Sequence, residues 1–473
     1  MKNLNNTKTR TEFDLIGERQ VPKEVYYGIQ TLRALENFDI SGSYLYDYPE
    51  FINALAEVKE AAAKANRKLG ILDPEIADAI IEACQKIKTG DFNQEFVVDM
   101  IQGGAGTSMN MNANEVIANI ALEILGYEKG NYQYCHPNNH VNLSQSTNDA
   151  YPSALKICIY RSISWLEEEL ELLIQSFMDK SEEFKEIIKM GRTQLQDAVP
   201  MTLGQEFKAF EKTLSDEINQ IKQNKTLMLE VNLGATAIGT GINADPDYAP
   251  LCINYFNEIT GLKISLAENL IEATSDTGDF VTISSVLKRL ALKLSKISND
   301  LRLLSSGPRT GFNEINLPAV QPGSSIMPGK VNPVIPEVMN QIAFRVMGND
   351  LTVCLGAEAG QLQLNVMEPI MAFAILENIE ILINGMKTFR TRCINGIIAN
   401  PEHCKDMVNN SVSLVTALNP YLGYDISTKL AAEALKSNRS IIELILEQKL
   451  IEEEKLMQIL SPQNMIKPRK YKS

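Results

Sequence analysis

Residues 323–333 read Gly-Ser-Ser-Ile-Met-Pro-Gly-Lys-Val-Asn-Pro, which places two hydroxyls, a cation and an amide among two glycines and two prolines. Backbone punctuation of that density excludes the interior of a helix or strand. The segment is read as a shaped loop carrying reactive side chains, the kind of donors that recognise a small anion. Three further clusters gather small polar residues where a helix core would not tolerate them: residues 103–115, 142–149 and 191–197. Ser146, Thr147 and Asn148 could be helix N-caps, but capping needs one such residue, not three in a row. A phosphate loop is a weak reading, because no GxxxxGK[ST] occurs and the glycine-rich run 234–241 follows a helix with no strand before it.

The elements that must position these clusters are helices. Ile163, Leu166, Leu170, Leu173 and Phe177 recur at spacings of three and four, as do Phe207, Phe210, Leu214, Ile218 and Ile221, and Ile283, Leu287, Leu290, Leu294, Ile297 and Leu301. Three long apolar stripes separated by turn-rich segments call for antiparallel packing in a bundle, a core arrangement also compatible with assembly through the same helices. Residues 51–70 and 74–88 read as earlier helices, each closed by glycine, and 426–435 and 440–450 as final ones. Asn400-Pro401, and Asn419-Pro420 with Gly423, mark breaks. Boundaries near 145 and 400 divide the chain into an N-terminal, mostly helical domain (1–145), a central long-helix bundle (146–400) and a small C-terminal helical domain (401–473), with a frayed basic end from Lys467.

Bulk properties narrow the function. The 473 residues are 44% hydrophobic and 22% charged, a soluble globular balance. A net charge of −14 argues against nonspecific attraction to nucleic acid or anionic membranes. The seven cysteines are dispersed and never form a CxxC pair, so each is read as a small buried residue in a reducing compartment. Residues 1–13 are polar, without a signal-peptide core, and no run of 18 apolar residues follows. A cytoplasmic protein is expected.

The four clusters resemble the signature regions of the aspartase/fumarase superfamily, whose best-known motif residues 323–333 match almost letter for letter. Val21-Pro22, residues 26–31, Arg33 and residues 307–316 are also similar, so the resemblance runs from Arg10 to the C-terminal helices. It implies an all-α, three-domain fold whose central bundle assembles into a tetrameric helical core, with each active site shared between three subunits. Within the superfamily, Gly-Ala-Gly-Thr-Ser at 104–108 and Ser-Thr-Asn-Asp at 146–149 are similar to aspartases, where fumarases carry Gly-Ser-Gly-Thr-Gln and Ser-Ser-Asn-Asp.

The chemistry so implied is anti-elimination of ammonia from L-aspartate to give fumarate. A base removes the proton beside one carboxylate, which becomes a doubly negative aci-carboxylate, and donors aimed at its oxygens are each worth about 3 kcal/mol of barrier. By the resemblance Thr107, Ser146, Thr147 and Ser325 are those donors. Ser324 is the base, which requires backbone N–H groups and the positive potential of Lys330 to stabilise its alkoxide. Lys330, Asn332 and Thr193 hold the α-carboxylate and Asn148 the amino group, under a loop that closes as a lid.

Gln194 stands where fumarases carry histidine, and a glutamine cannot exchange protons near neutral pH. Loss of hydroxide from malate needs a proton donor, whereas an ammonium substituent leaves as NH3 without one. Gln194 can accept a hydrogen bond from that ammonium. Glu337, the usual partner of that histidine, is expected to bond Gln194 or a water.

His136 and His140 resemble a secondary anion site of fumarases or form a solvated loop; Pro137 between them disfavours a metal pair. His403 lies outside the clusters. No organic cofactor is required, and the resemblance allows activation by a divalent cation such as Mg2+, although no ligand cluster demands one. The rivals are a class II fumarase and a catalytically silent structural homologue such as the lens crystallins related to these lyases.

Overall fold

The computed structural model describes residues 8–466; the basic end expected to fray, from Lys467 onward, lies outside them. The chain opens with a hairpin, β1 (Thr9–Asp14) against β2 (Gly17–Pro22), followed by α1 (Ile29–Asn37), α2 (Pro49–Lys68), α3 (Pro74–Ile87) and α4 (Thr107–Ile124). The 37-residue α5 (Thr147–Glu183) leads to a second hairpin, β3 (Ile188–Thr193) with β4 (Gln196–Thr202), and then α6 (Leu203–Asn224). The short strands β5 (Glu230–Val231) and β6 (Ser265–Leu266) flank α7 (Tyr248–Thr260), and a one-turn α8 (Glu272–Ser275) precedes α9 (Gly278–Leu304). Beyond β7 (Ile315–Asn316) come α10 (Val334–Glu358) and α11 (Glu368–Arg392). Next are β8 (Ile398–Ala399), paired with β7, and the short helices α12 (Pro401–Asn410), α13 (Val415–Leu422), α14 (Tyr424–Ser437), α15 (Ile441–Glu447) and α16 (Glu453–Ile459). The fold is all-α in class, with its few strands confined to two-stranded pairs.

Local signals explain the helix ends. Asp73 caps α3 by accepting the N–H groups of Glu75 and Ile76, with Pro74 behind it, and Ser440 and Glu443 form a reciprocal capping box at α15. All sixteen residues of the three apolar stripes are buried, on α5, α6 and α9. At about 1.5 Å per residue, α5 is about 55 Å long. One expected break is corrected: Asn419-Pro420 lies inside α13, and the chain breaks at Gly423, whose φ of +77° is left-handed. Pro420 lies in the last turn of this eight-residue helix, where it forgoes one i→i−4 hydrogen bond, and the chain leaves the helix three residues later at Gly423.

Two compact units divide the chain. One comprises residues 1–166, 220–288 and 345–381; the other comprises 167–219, 289–344 and 382–473. The long helices α5, α6, α9, α10 and α11 each supply residues to both. In the second unit, Phe177 meets Phe207, Phe210 and Phe389 at ring-centroid distances of 5.9–6.2 Å. A separate apolar cluster of Leu418, Leu430, Ile441, Leu444 and Leu456 holds the C-terminal helices. The segment Glu368–Gly396 is apolar and long enough to cross a membrane by length and composition, yet 61% of its most apolar window is buried inside the protein.

Candidate active site

Thr107 and the residues 146–148 belong to the first unit; Thr193, Gln194, residues 323–333 and Glu337 belong to the second.

In the first unit α4 starts at Thr107 because Gly106 turns the chain with φ +89°. A Cβ at Gly106 would lie 2.5 Å from the Tyr151 ring, so only glycine fits. The Thr107 hydroxyl donates to the Gly104 carbonyl at 2.6 Å, which commits its hydrogen in this state. At the start of α5, Ser146 is the cap: its Oγ accepts the Asn148 N–H at 3.2 Å while its own N–H donates to Asp149 Oδ1 at 2.9 Å. Thr147 and Asn148 follow it inside the helix and cap nothing, so their side chains are left for another task.

The Asn148 amide has its polarity set. Its Nδ2 donates to the Ala237 carbonyl at 2.8 Å, and a carbonyl can only accept, so Oδ1 is the outward end. The glycine-rich run 234–241, weighed above as a phosphate loop, turns its N–H groups to a buried carboxylate instead. Gly234 and Thr236 donate to Asp149 Oδ2 at 3.1 and 2.9 Å. Burial pushes Asp149 up to about 6, opposed by these backbone bonds and the charge of Lys59.

Behind this segment lies a group that the sequence reading missed. Lys59 of α2 is fully buried, and its ammonium donates to Asn110 Oδ1 at 2.6 Å, Asn142 Oδ1 at 2.9 Å and Gln145 Oε1 at 2.9 Å. Asn110 in turn donates to Thr147 Oγ1 at 3.0 Å. The available signal was register: Lys59 falls on the same stripe of α2 as Ile52, Leu55, Ala62 and Asn66, all of them buried.

In the second unit Thr193 and Gln196 close the β3–β4 hairpin around a two-residue turn, Gln194-Leu195, with φ of +54° and +61°. Left-handed backbone at two successive non-glycine residues costs about 1–2 kcal/mol each, a strain the rest of the hairpin must hold. Its base is clamped. Lys189 pairs with Glu206 at 2.5 Å and Glu314 at 2.6 Å, and Arg192 pairs with Glu314 at 2.5 Å while lying over the Phe312 ring. Ser411, just after α12, donates to Asp197 at 2.7 Å. The clamp presents Thr193 and Gln194 at an exposed tip.

Residues 321–333 form no helix or strand. The loop is tied at its neck by the Gly323 N–H donating to the Lys330 carbonyl at 2.8 Å and by Asn332 Nδ2 donating to the Gly323 carbonyl at 2.9 Å. A Cβ on Gly323 would lie 2.7 Å from that Lys330 oxygen, so the neck requires glycine. Within the loop, Ser324 Oγ accepts the N–H groups of Ile326 at 3.2 Å and Met327 at 3.0 Å. Ser325 and Lys330 are exposed. Lys330, Asn332 and Glu337, at the start of α10, line one recess of about 980 Å3 together with Arg302, Ser306 and Asn316. Among the described residues no hydrogen bond joins Glu337 to Gln194.

The histidines are engaged locally. His136 Nδ1 accepts the Asn138 N–H and His140 Nδ1 accepts the His136 N–H, while partial burial lowers both rings' affinity for a proton. The His403 Nε2 donates to the Phe312 carbonyl. Six of the seven cysteines are buried and Cys354 is half-buried.

The chain is similar to known proteins along nearly its whole length. Residues 17–348 match the family model described as lyase, and residues 414–467 match the model of the fumarase C C-terminus. The chain is 59% identical over 461 residues to the aspartate ammonia-lyase of Pseudomonas canavaninivorans, covering 97% of each chain. It is 54% identical to that of Escherichia coli, covering 97% of this chain and 96% of the relative. A solved structure of fumarate lyase:delta crystallin from Brucella melitensis, bound to cobalt, superimposes with a TM-score of 0.95 at 52% identity, covering 97% of this chain and all of that one. A class II fumarase from Schistosoma mansoni gives 0.91 at 36% identity, covering 97% and 99%.

Proposed function

The chain belongs to the lyase family of aspartases and fumarases, and from that premise we propose that it is an aspartate ammonia-lyase, interconverting L-aspartate with fumarate and ammonia. The observation that carries the choice of leaving group is Gln194 at the tip of the β3–β4 hairpin, where fumarases carry histidine; the fixed polarity of Asn148 is compatible with that choice. Gln194 stands in place of a titratable ring, and an ammonium leaves without a donated proton. With its NH2 end on the Ala237 carbonyl, the Asn148 amide offers oxygen, which accepts from an ammonium. The names of the full-length relatives support the same choice.

In this reading Ser324 removes a proton from Cβ of aspartate. The electron pair moves into the adjoining carboxylate, giving the aci-carboxylate. Thr147, Ser146, Ser325 and, after rotating its hydroxyl away from Gly104, Thr107 donate to its oxygens. Collapse of that intermediate forms the double bond and expels the C–N electron pair with nitrogen as NH3. The Ile326 and Met327 N–H groups on Ser324 Oγ supply the stabilisation that a serine alkoxide needs, and Lys330 adds positive potential. Lys330, Asn332 and Thr193 hold the α-carboxylate, with the loop 323–333 closing over it as a lid. Glu337 acts from behind on the same recess.

The assembly proposed is a homotetramer with each site drawn from three subunits and each chain arranged as domains 1–145, 146–400 and 401–473. Exposed apolar residues on the bundle helices support association. Phe344, Leu351 and Leu355 on α10 are about 60% exposed at spacings of seven and four, a stripe that a second copy would cover. The enzyme acts in the cytoplasm without an organic cofactor. Among the described residues no three His, Cys, Asp or Glu side chains gather as metal ligands would, so no residue is assigned to an activating cation such as Mg2+.

Separate supply of L-aspartate and L-malate, with fumarate followed by its absorbance, tests the function. Aspartate turnover is expected. Turnover of malate alone would make the protein a fumarase, and turnover of neither a silent homologue.

A further inference from the structure

Resting on that reading, we propose that Lys59 is a positioning residue which, through the amide of Asn110, dictates that the Thr147 hydroxyl offers its hydrogen to the substrate carboxylate. An ammonium has three donors and no acceptor. Lys59 spends all three on amide oxygens, those of Asn110, Asn142 and Gln145. Each of these amides must therefore turn its oxygen inward and its NH2 elsewhere. For Asn142 the NH2 meets the Gln145 carbonyl, and for Gln145 the carbonyls of Val141 and Leu143. For Asn110 it meets Thr147 Oγ1 at 3.0 Å and Asn142 Oδ1 at 3.2 Å.

Thr147 Oγ1 thus receives a hydrogen from the protein side. Among the described residues its own hydrogen has no acceptor, so it faces outward as a donor. Were Asn110 flipped, its oxygen would claim the Thr147 hydrogen, and the hydroxyl would show a carboxylate only lone pairs. The shape of the amide does not distinguish its two ends; the charge of Lys59 does, directly and through the Asn142 oxygen that it holds and that also accepts from the Asn110 NH2. A buried lysine bonded to three neutral groups is costly, since burial pushes its ammonium down to about 7, opposed first by the charge of Asp149. A methionine would fill the same volume without that cost. The charge is therefore retained for what it orients.

A double-mutant cycle tests the relay. Asn110→Asp keeps the side-chain shape and gives Lys59 a stronger partner, yet removes the NH2 and so reverses Thr147. It is expected to lower kcat/KM for aspartate about 10–100-fold, the cost of one hydrogen bond to a charged group. In a Thr147→Val background, where there is no hydroxyl to orient, the same change should alter kcat/KM by less than about threefold. Lys59→Met should behave like Asn110→Asp in both backgrounds. If it does not fold, Asn110→Asp decides alone, with its melting temperature checked against the parent's. Losses that multiply in the double variant, or full activity in Asn110→Asp, overturn the relay while leaving the lyase reading intact. Absence of turnover by the unaltered enzyme overturns both.

Discussion

The backbone N–H of Met327 donates to Ser324 Oγ at 3.0 Å, and that of Ile326 reaches the same oxygen at 3.2 Å. A serine hydroxyl is an ordinary loop group until something stabilises its alkoxide, and two oriented N–H dipoles are such a device. Ser324→Ala is expected to lower kcat about 10²–10⁴-fold, the usual contribution of a general base. The melting temperature should stay put, because Ser324 lies in a loop without regular structure. Full activity in that variant, read by steady-state kinetics, removes Ser324 from the role of base.

Asn148→Leu separates the two carboxylates of aspartate from its ammonium. The variant keeps the branched outline of the side chain but loses the outward oxygen, so KM for aspartate should rise about 10–100-fold while KM for fumarate in the reverse direction changes little. Equal weakening of both substrates would place Asn148 on a carboxylate instead.

Glu314 is fully buried and pairs with both Lys189 and Arg192 beneath the hairpin that carries Gln194. Glu314→Gln strands Arg192 and leaves Lys189 with Glu206 as its remaining carboxylate partner, and breaking a buried ionic group in this way costs about 3–5 kcal/mol. A lowered melting temperature, with further loss of activity in the fraction that stays folded, is the expected outcome. An unchanged melting temperature contradicts the clamp.

Stability should depend on Glu368, the first residue of α11. Burial raises its carboxyl from the ordinary 4.5 to about 8, with Lys156 opposing. Between those values the native state holds a proton that the unfolded chain has released, so stability from this group is present at low pH and declines as pH climbs from about 4.5 through 8. Glu368→Gln removes the ionisation. Its melting temperature should exceed the parent's by a margin that grows from pH 5 to pH 8.5; a constant margin rules out this titration.

Much of this was legible in the sequence because it was periodic or densely punctuated. The stripes from Ile163, Phe207 and Ile283 are buried as their spacing requires, and residues 323–333 form the loop that their glycines and prolines demand. The hairpin tip was not legible, because Gln194-Leu195 carries none of the Asn-Gly chemistry that announces such a turn. Pro420 misled, since a proline near a helix end need not break it. Lys59 escaped notice because a lysine in an alanine-rich helix is ordinarily a solvated one. Only the fold brings Asn110, Asn142 and Gln145 around it.

The most direct measurement is the absorbance of fumarate when the purified protein is given L-aspartate, and separately L-malate, at equal concentration. Fumarate is expected from aspartate, with ammonia released in equal amount, and little or no fumarate from malate. Fumarate from malate with none from aspartate would contradict the ammonia-lyase reading.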